Sequence, residues 1–424
     1  MKKIISLVFL LTLASFSSLA GASVIAELKA EKIPALLNQK IANLRLYATD
    51  PQGQLLPIPF QVDEKYLDSD SGEWRFVLDK QNKDNNPLHA GNGLFDSQDV
   101  LIWMDKDAGP PVDPTKLPAA KMRWQIASAA GDGRVVYLSL EDSPSLLSTR
   151  QYVNYQEAAD QVKTEDYSVG FSKKQPLVQD ILVLSPSSGS QDILDRFKVR
   201  FKLAIKNFFD FKIDEEGVEG GLVGYKIGPI RLIRRLSAYK SIGPIRVVPK
   251  TLTDFVFYED WVEIPTLINN PLDGPKFLED KTQGLSGFDF NKNAQGSTVY
   301  SDSLNQGIVL QGDVKEVRSP TATQWWAIQT SSGAMVVGIR NDKKLADLQI
   351  NPMLRIYANS NAAPPESESG EAFVGFDLPY SKIPKGRYAL AVRQVFPKNF
   401  VHGRETFYLS EAKVKGAGVV SALP

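Results

Sequence analysis

Along Phe197-Lys-Val-Arg-Phe-Lys-Leu-Ala-Ile-Lys206, apolar residues at 197, 199, 201, 203 and 205 alternate with Lys198, Arg200, Lys202 and Lys206. A period of two places the two sets on opposite faces of a strand and predicts that one face is buried. Shorter runs with the same character are Asn43 to Ala48, Val100 to Met104, Arg134 to Leu140, Asp254 to Tyr258, Trp325 to Thr330, Met335 to Ile339, Arg387 to Val395 and Thr406 to Leu409. They are rich in Val, Ile, Tyr and Phe and are separated by Gly, Pro, Asn and Asp, the spacing of a sandwich. Helix-compatible stretches are confined to parts of Ile25 to Gln39 and Glu157 to Thr164. The expected fold is therefore all-β: an N-terminal sandwich-like domain over residues 23–145, a linker over 146–175, and a larger antiparallel domain over 176–424. Within the latter, the polar stretch Ala362 to Glu371 reads as an exposed loop. Gly228-Pro-Ile-Arg231 recurs as Gly243-Pro-Ile-Arg246; each Gly-Pro suits a turn that opens a strand.

The first 22 residues follow another logic. Lys2 and Lys3 precede an apolar run from Ile4 to Ala14 and a small-residue stretch from Ser15 to Ala22. This is the pattern of a secretory signal peptide, with cleavage expected after Ala22 or Ala20. The apolar run is shorter than the about 20 residues that span a bilayer, and stable membrane insertion is not expected. The 26 Pro and 30 Gly interrupt most strand candidates, which disfavours a lipid-facing barrel. There is no Cys, which removes disulfides, thiolate metal sites and a cysteine nucleophile and suits an oxidising compartment. The expected location is periplasmic or secreted. With 49 basic and 49 acidic side chains, the 424-residue chain has no overall pull toward nucleic acid.

Candidate chemistry is sparse. The chain lacks the nucleophile-elbow, phosphate-loop, zinc-helix and dinucleotide motifs. His89 and His402 are the only imidazoles, so no multi-histidine metal site exists. Asn92, Asp96 and Asp99 lie in a run of amides and acids and could supply oxygens to calcium; the alternative is a set of Asx turns leading into the strand at Val100. No other cofactor is expected. The densest feature is basic: Arg231, Arg234, Arg235, Lys240, Arg246 and Lys250 occur between residues 228 and 250 without an acid. Beside the cations of the 197–206 strand they would form a positive band able to pair with carboxylated or sulfated polymers. Acids between the segments, from Asp210 to Glu219, could instead neutralise it. Tyr239, Trp325, Trp326, His402 and Arg404 complete the residues expected at a ligand site, with one Trp of the pair facing the core and the other available for sugar stacking.

Gly228-Pro-Ile-Arg-Leu-Ile-Arg-Arg-Leu-Ser-Ala-Tyr239, Phe255-Val-Phe-Tyr258, Pro265-Thr-Leu-Ile-Asn-Asn-Pro-Leu272 and Trp325-Trp-Ala-Ile328 resemble blocks of galactose-mutarotase-like domains. Leu56 to Glu64 and Asn92 to Leu101 resemble blocks of secreted bacterial proteins of unassigned function. The resemblance implies a β-supersandwich of the sort associated with sugar epimerisation, polysaccharide cleavage or carbohydrate binding. It departs at the histidines, since only His402 falls in the matching domain. The leading expectation is an exported protein that binds a saccharide or cell-envelope polymer through an arginine-rich, aromatic-flanked sheet face. The alternatives are a polysaccharide lyase or hydrolase and an envelope assembly scaffold. Gathering of the named residues in one cleft would favour the sugar readings, and dispersal the scaffold. Oligomeric state is left open.

Overall fold

A computed structural model describes residues 23–69, 72–81, 89–143, 146–207, 210–242, 245–270, 272–311, 314–358 and 372–423. Residues 1–22, expected as a signal peptide, together with Gly243-Pro244, the expected loop from Ala362 to Glu371 and the side chains of Arg246 and Lys250, lie outside the described residues. The chain is all-β, built on antiparallel sheets. No helix among the described residues is long and apolar enough to cross a membrane.

Two sheets form the N-terminal sandwich. One has the order Lys413–Gly416, Val24–Lys29, Val100–Met104, Gln61–Asp63; the other is Leu55–Pro57, Leu44–Thr49, Val135–Leu140, Met122–Ala127, Val420–Leu423. The last strands of the chain thus complete the first domain, Lys413–Gly416 running parallel to Val24–Lys29 and Val420–Leu423 antiparallel to Met122–Ala127. This corrects the expectation that the large domain extends to residue 424.

The stretch expected as a linker is also folded. Asn154–Gln156, Gln161–Lys163, Tyr167–Phe171 and Gln179–Leu184 make a four-stranded antiparallel sheet, whose Val162, Tyr167, Val169 and Phe171 enter the large core. The helix-compatible stretch at Glu157 shrinks to one 3-10 turn, Glu157–Ala159, and the one at Ile25 becomes the strand Val24–Lys29 followed by 3-10 turns. Conversely, Thr406 to Leu409 belongs to a helix, Glu405–Glu411. Tyr408 anchors it, its hydroxyl accepting from the Val401 amide and donating to the Asn399 carbonyl.

Val100–Met104 explains how the domains share structure. Its five residues are all buried: Leu101 and Trp103 point into the N-terminal core, Val100, Ile102 and Met104 into the large one. An apolar run without alternation is what a strand buried on both faces requires. The large domain stacks a six-stranded sheet, which includes Leu194–Ala204, Gln283–Phe290 and Ala372–Leu378, against a ten-stranded one, which includes Leu232–Ile242, Ile245–Phe257, Trp261–Asn270 and Gly386–Val395. Phe288, Phe290, Trp326 and Phe257 fill one end of the space between them.

A buried ion pair ties the domains together. Asp63, fully buried on the N-terminal side, accepts from Arg231 Nε at 2.9 Å and Nη2 at 2.6 Å, while Arg231 Nη1 donates to the Tyr258 hydroxyl at 2.9 Å. Gln61 donates to Asp63 and accepts from the Arg231 amide. Gly228 is required by this packing, because a β-carbon there would lie 1.8 Å from Gln61 Oε1. Removing one partner of a buried pair strands the other charge at a cost of about 3–5 kcal/mol. Asp63→Asn is therefore expected to lower the urea midpoint by a corresponding amount; an unchanged midpoint would show that the pair does not hold the domains.

Candidate ligand cavity

The structure disperses the expected ligand residues. Arg231, Arg234 and Arg235 are buried, and each has its own carboxylate. Arg231 pairs with Asp63. Arg234 points into the core, donating to Asp160 from Nε at 2.9 Å with its guanidinium 3.6 Å from the centre of the Phe171 ring. Arg235 faces the other way, forked onto Asp254 at 2.6 and 2.9 Å with Tyr66 beside it. The expected solvent-facing positive band is corrected accordingly: cations with so large a desolvation cost stay inside only because acids meet them there. Those acids come from distant segments, which is why the stretch 228–250 reads as unneutralised. Lys198 is buried too, paired with Asp289 across neighbouring strands.

Tyr239 stands opposite Glu219 near the end of its strand. Trp326 is fully buried against Phe288 and Phe290. Trp325 is half-buried on the opposite face. His402 is exposed, stacked on Tyr300 at 4.0 Å and bonded through Nδ1 to Glu405 at 2.7 Å. Arg404 lies over the Phe407 ring on the same helix start.

The amides and acids expected as calcium ligands serve as turn caps. Asn92 Oδ1 accepts from the Leu94 amide and its Nδ2 donates to Asp96; Asp99 accepts from the amides of Lys65 and Asp96. Among the described residues no three His, Cys, Asp or Glu gather as a metal site. Burial pushes the Asp99 carboxyl up to about 6 against the pull of both amides.

A cavity of about 330 Å³ opens between the two sheets of the large domain. Its cause is legible in the inward positions of the strands. On Gln283–Phe290 they run Phe290, Phe288, Ser286, Gly284; on Ile245–Phe257, Phe257, Phe255, Thr253; on Trp261–Asn270, Val262, Ile264, Thr266; and Leu236 gives way to Ala238. Large side chains fill one end, and small ones leave the other open. Phe197, Val199 and Phe201, the apolar face of the alternating strand, form a wall of the space and are only half-buried. Glu215 is the one charged residue on the wall; Arg200 holds it at 2.8 Å and Arg196 at 3.4 Å. Tyr380 stands at the end near Phe201, its hydroxyl donating to Asn270 at 3.0 Å, and burial pushes it up to about 12. Beyond it the short helix Gly274–Phe277 exposes Phe277, and Leu267 is exposed nearby. Lys202, Lys206, Lys276, Lys281, Lys382 and Lys385 are exposed on the segments that end here.

No family model and no curated protein matches the chain. Similar solved structures include an α-mannosidase from Enterococcus faecalis, 10% identical, with a TM-score of 0.46 over 96% of this chain and 45% of that one. A protein assigned as an aldose 1-epimerase from Escherichia coli K12 is 10% identical, with a TM-score of 0.34 over 55% of this chain and 96% of that one. A 4-alpha-glucanotransferase from Thermococcus litoralis is 8% identical, with a TM-score of 0.31 over 58% and 40%. The chain thus spans less than half of the mannosidase.

Two outcomes follow. Ala238→Leu places new methyl groups in open space and is expected to raise stability by about 1–2 kcal/mol, whereas Ala294→Leu, in the filled core, is expected to cost about 1–3 kcal/mol; equal losses in denaturant melts would mean the cavity is closed. Asp99 is raised above its unfolded value of about 3.9, so the native state binds the extra proton and stability falls as pH rises from about 4 to about 6. Asp99→Asn should flatten the fall of melting temperature over that range; an unaltered slope would assign it to other groups.

Proposed function

We propose that the protein is an exported binding protein of the cell envelope that holds the apolar chain of an amphiphile between the sheets of its large domain. The observation that carries this reading is the cavity itself: about 330 Å³ of space with an almost wholly apolar wall. That is within the about 300–1,000 Å³ of ordinary ligand sites. Side chains around an empty apolar space lack contacts on one side, and an acyl chain restores them while leaving water. The lone acid on the wall is already held by two arginines, so the site offers an apolar chain no charge to desolvate. Lys202 pairs with Asp210 and Lys281 with Asp210 and Glu279, whereas the exposed Lys276, Lys382 and Lys385, with Phe277 beyond Tyr380, suit an anionic headgroup left at the mouth.

The saccharide expectation moves to a second reading at another place. The His402 ring lies on Tyr300, with half-buried Trp325 on the sheet edge that carries Tyr300 and with Arg404 at the start of the adjoining helix. Exposed aromatic surface beside polar groups suits a sugar ring.

Titration of the purified protein with a fluorescent fatty-acid probe tests the first reading. Saturable binding, displaced by dodecanoate and lost in Ala238→Trp but kept in His402→Ala, is expected. Absence of saturable binding, or equal binding by Ala238→Trp, would overturn it. Retention on an uncharged or uronate glycan that His402→Ala abolishes would support the second.

A further inference from the structure

Ser23, the residue that follows Ala20-Gly21-Ala22, is held at its backbone nitrogen and its hydroxyl by buried acids. Its backbone nitrogen donates to Asp260 Oδ2 at 2.8 Å and its hydroxyl to Glu259 Oε2 at 2.9 Å. Asp260 is 8% exposed and Glu259 4%. The second oxygen of Asp260, Oδ1, is buried and has no hydrogen-bond partner among the described residues. Asp166 brings a third carboxyl to the same place, also with a buried oxygen lacking a partner. The cations that face these acids are Lys106, on Glu259, and Lys398, which bonds the exposed Glu165 at 3.2 Å and stands 3.7 Å from Asp166, and both are nearly half-exposed. Three buried acids with two partly solvated lysines form a site short of one positive charge.

We infer that hydrolysis of the Ala22–Ser23 bond supplies that charge, the new α-ammonium of Ser23 becoming the buried counter-ion of Asp260. Water adds across the peptide bond, leaving a carboxylate on Ala22 and an amine on Ser23 that takes up a proton. While the bond is intact, Ser23 offers Asp260 one neutral N–H. Burial and the neighbouring Glu259 and Asp166 then push the Asp260 carboxyl up to about 7, although the Ser23 amide pulls it down. After cleavage the same nitrogen carries three donors and a full charge, enough to reach the partnerless oxygen as well. Ser23 leads directly into Val24–Lys29, the strand shared by the two cores, so the ion pair would fasten that strand to the turn between Tyr258 and Trp261. Removal of the leader would in this way complete the fold, and of the two cleavage points allowed by the small residues only the one after Ala22 places an amine at Asp260.

The inference rests on the export half of the proposed function and not on what the cavity holds. The test is to express the full chain with its own leader in an export-competent bacterium and to take the intact mass of the exported protein. A mass beginning at Ser23 is expected. A mass beginning at Gly21 would overturn the inference while leaving export standing, and an uncleaved chain confined to the cytoplasm would overturn both. Chains that begin at Ser23 and at Gly21 are then made from a cleavable fusion and compared. The Ser23 form is expected to melt roughly 1–2 °C higher and its α-amine to react roughly tenfold more slowly with an amine-directed reagent at neutral pH, as a unit rise above an ordinary value of about 8 requires. Asp260→Asn should erase both differences. Equal melting and equal labelling of the two forms, or differences that persist in Asp260→Asn, would overturn it.

Discussion

The Asp63–Arg231 pair is the constraint around which the two domains are arranged. It is buried, two guanidinium nitrogens converge on one carboxylate oxygen, and through the Tyr258 hydroxyl it reaches the turn that also holds Asp260. A buried pair of this kind contributes less to stability than to uniqueness: many apolar surfaces could meet Val100–Met104, but few place a carboxylate against that guanidinium. With Arg231 fixed, the strand that follows is fixed in register, and Arg234 and Arg235 meet Asp160 and Asp254 on its two faces. The arginine-rich segment is thus a set of internal fasteners reaching three parts of the chain.

That anchoring separates the rigid part of the large domain from the part with space in it. At the end where the ion pairs and Phe257, Phe288, Phe290 and Trp326 lie, the sheets are filled. Toward Gly284, Ala238, Thr253 and Thr266 the inward side chains shrink while the sheets stay apart. Sheets of a sandwich keep a spacing of about 10 Å, so small residues facing one another leave a void. The void persists because the filled end and the shared strand already hold the fold.

Much of the fold is legible in the alternation of Phe197 to Lys206 and in the unbroken apolar run Val100 to Met104. What is not legible is partnership. Gly416 and Leu423 give no sign in the sequence that they join the first domain, because they pair with Glu27 and Arg123, hundreds of residues away, and such pairing depends on where the intervening chain returns. The basic band is misread for the same reason: Arg231 finds its acid 168 positions away, and no local spacing announces it. The apolar face of the alternating strand does face inward, but it faces a cavity. The signal for that was present in the falling size of Phe290, Phe288, Ser286 and Gly284, a taper seen only when inward positions of successive strands are compared. His402 meets Glu405 across the turn that opens the helix Glu405–Glu411.

The central claim is that the space between the sheets exists to hold an apolar chain. The direct measurement is native mass spectrometry of the protein isolated from its native cells without detergent, followed by solvent extraction of whatever it releases. The account predicts a bound species, near one per chain, whose extract contains an acyl-bearing amphiphile. A protein that emerges at its bare mass under conditions that preserve known lipid complexes, and that yields no acyl chain on extraction, would contradict it.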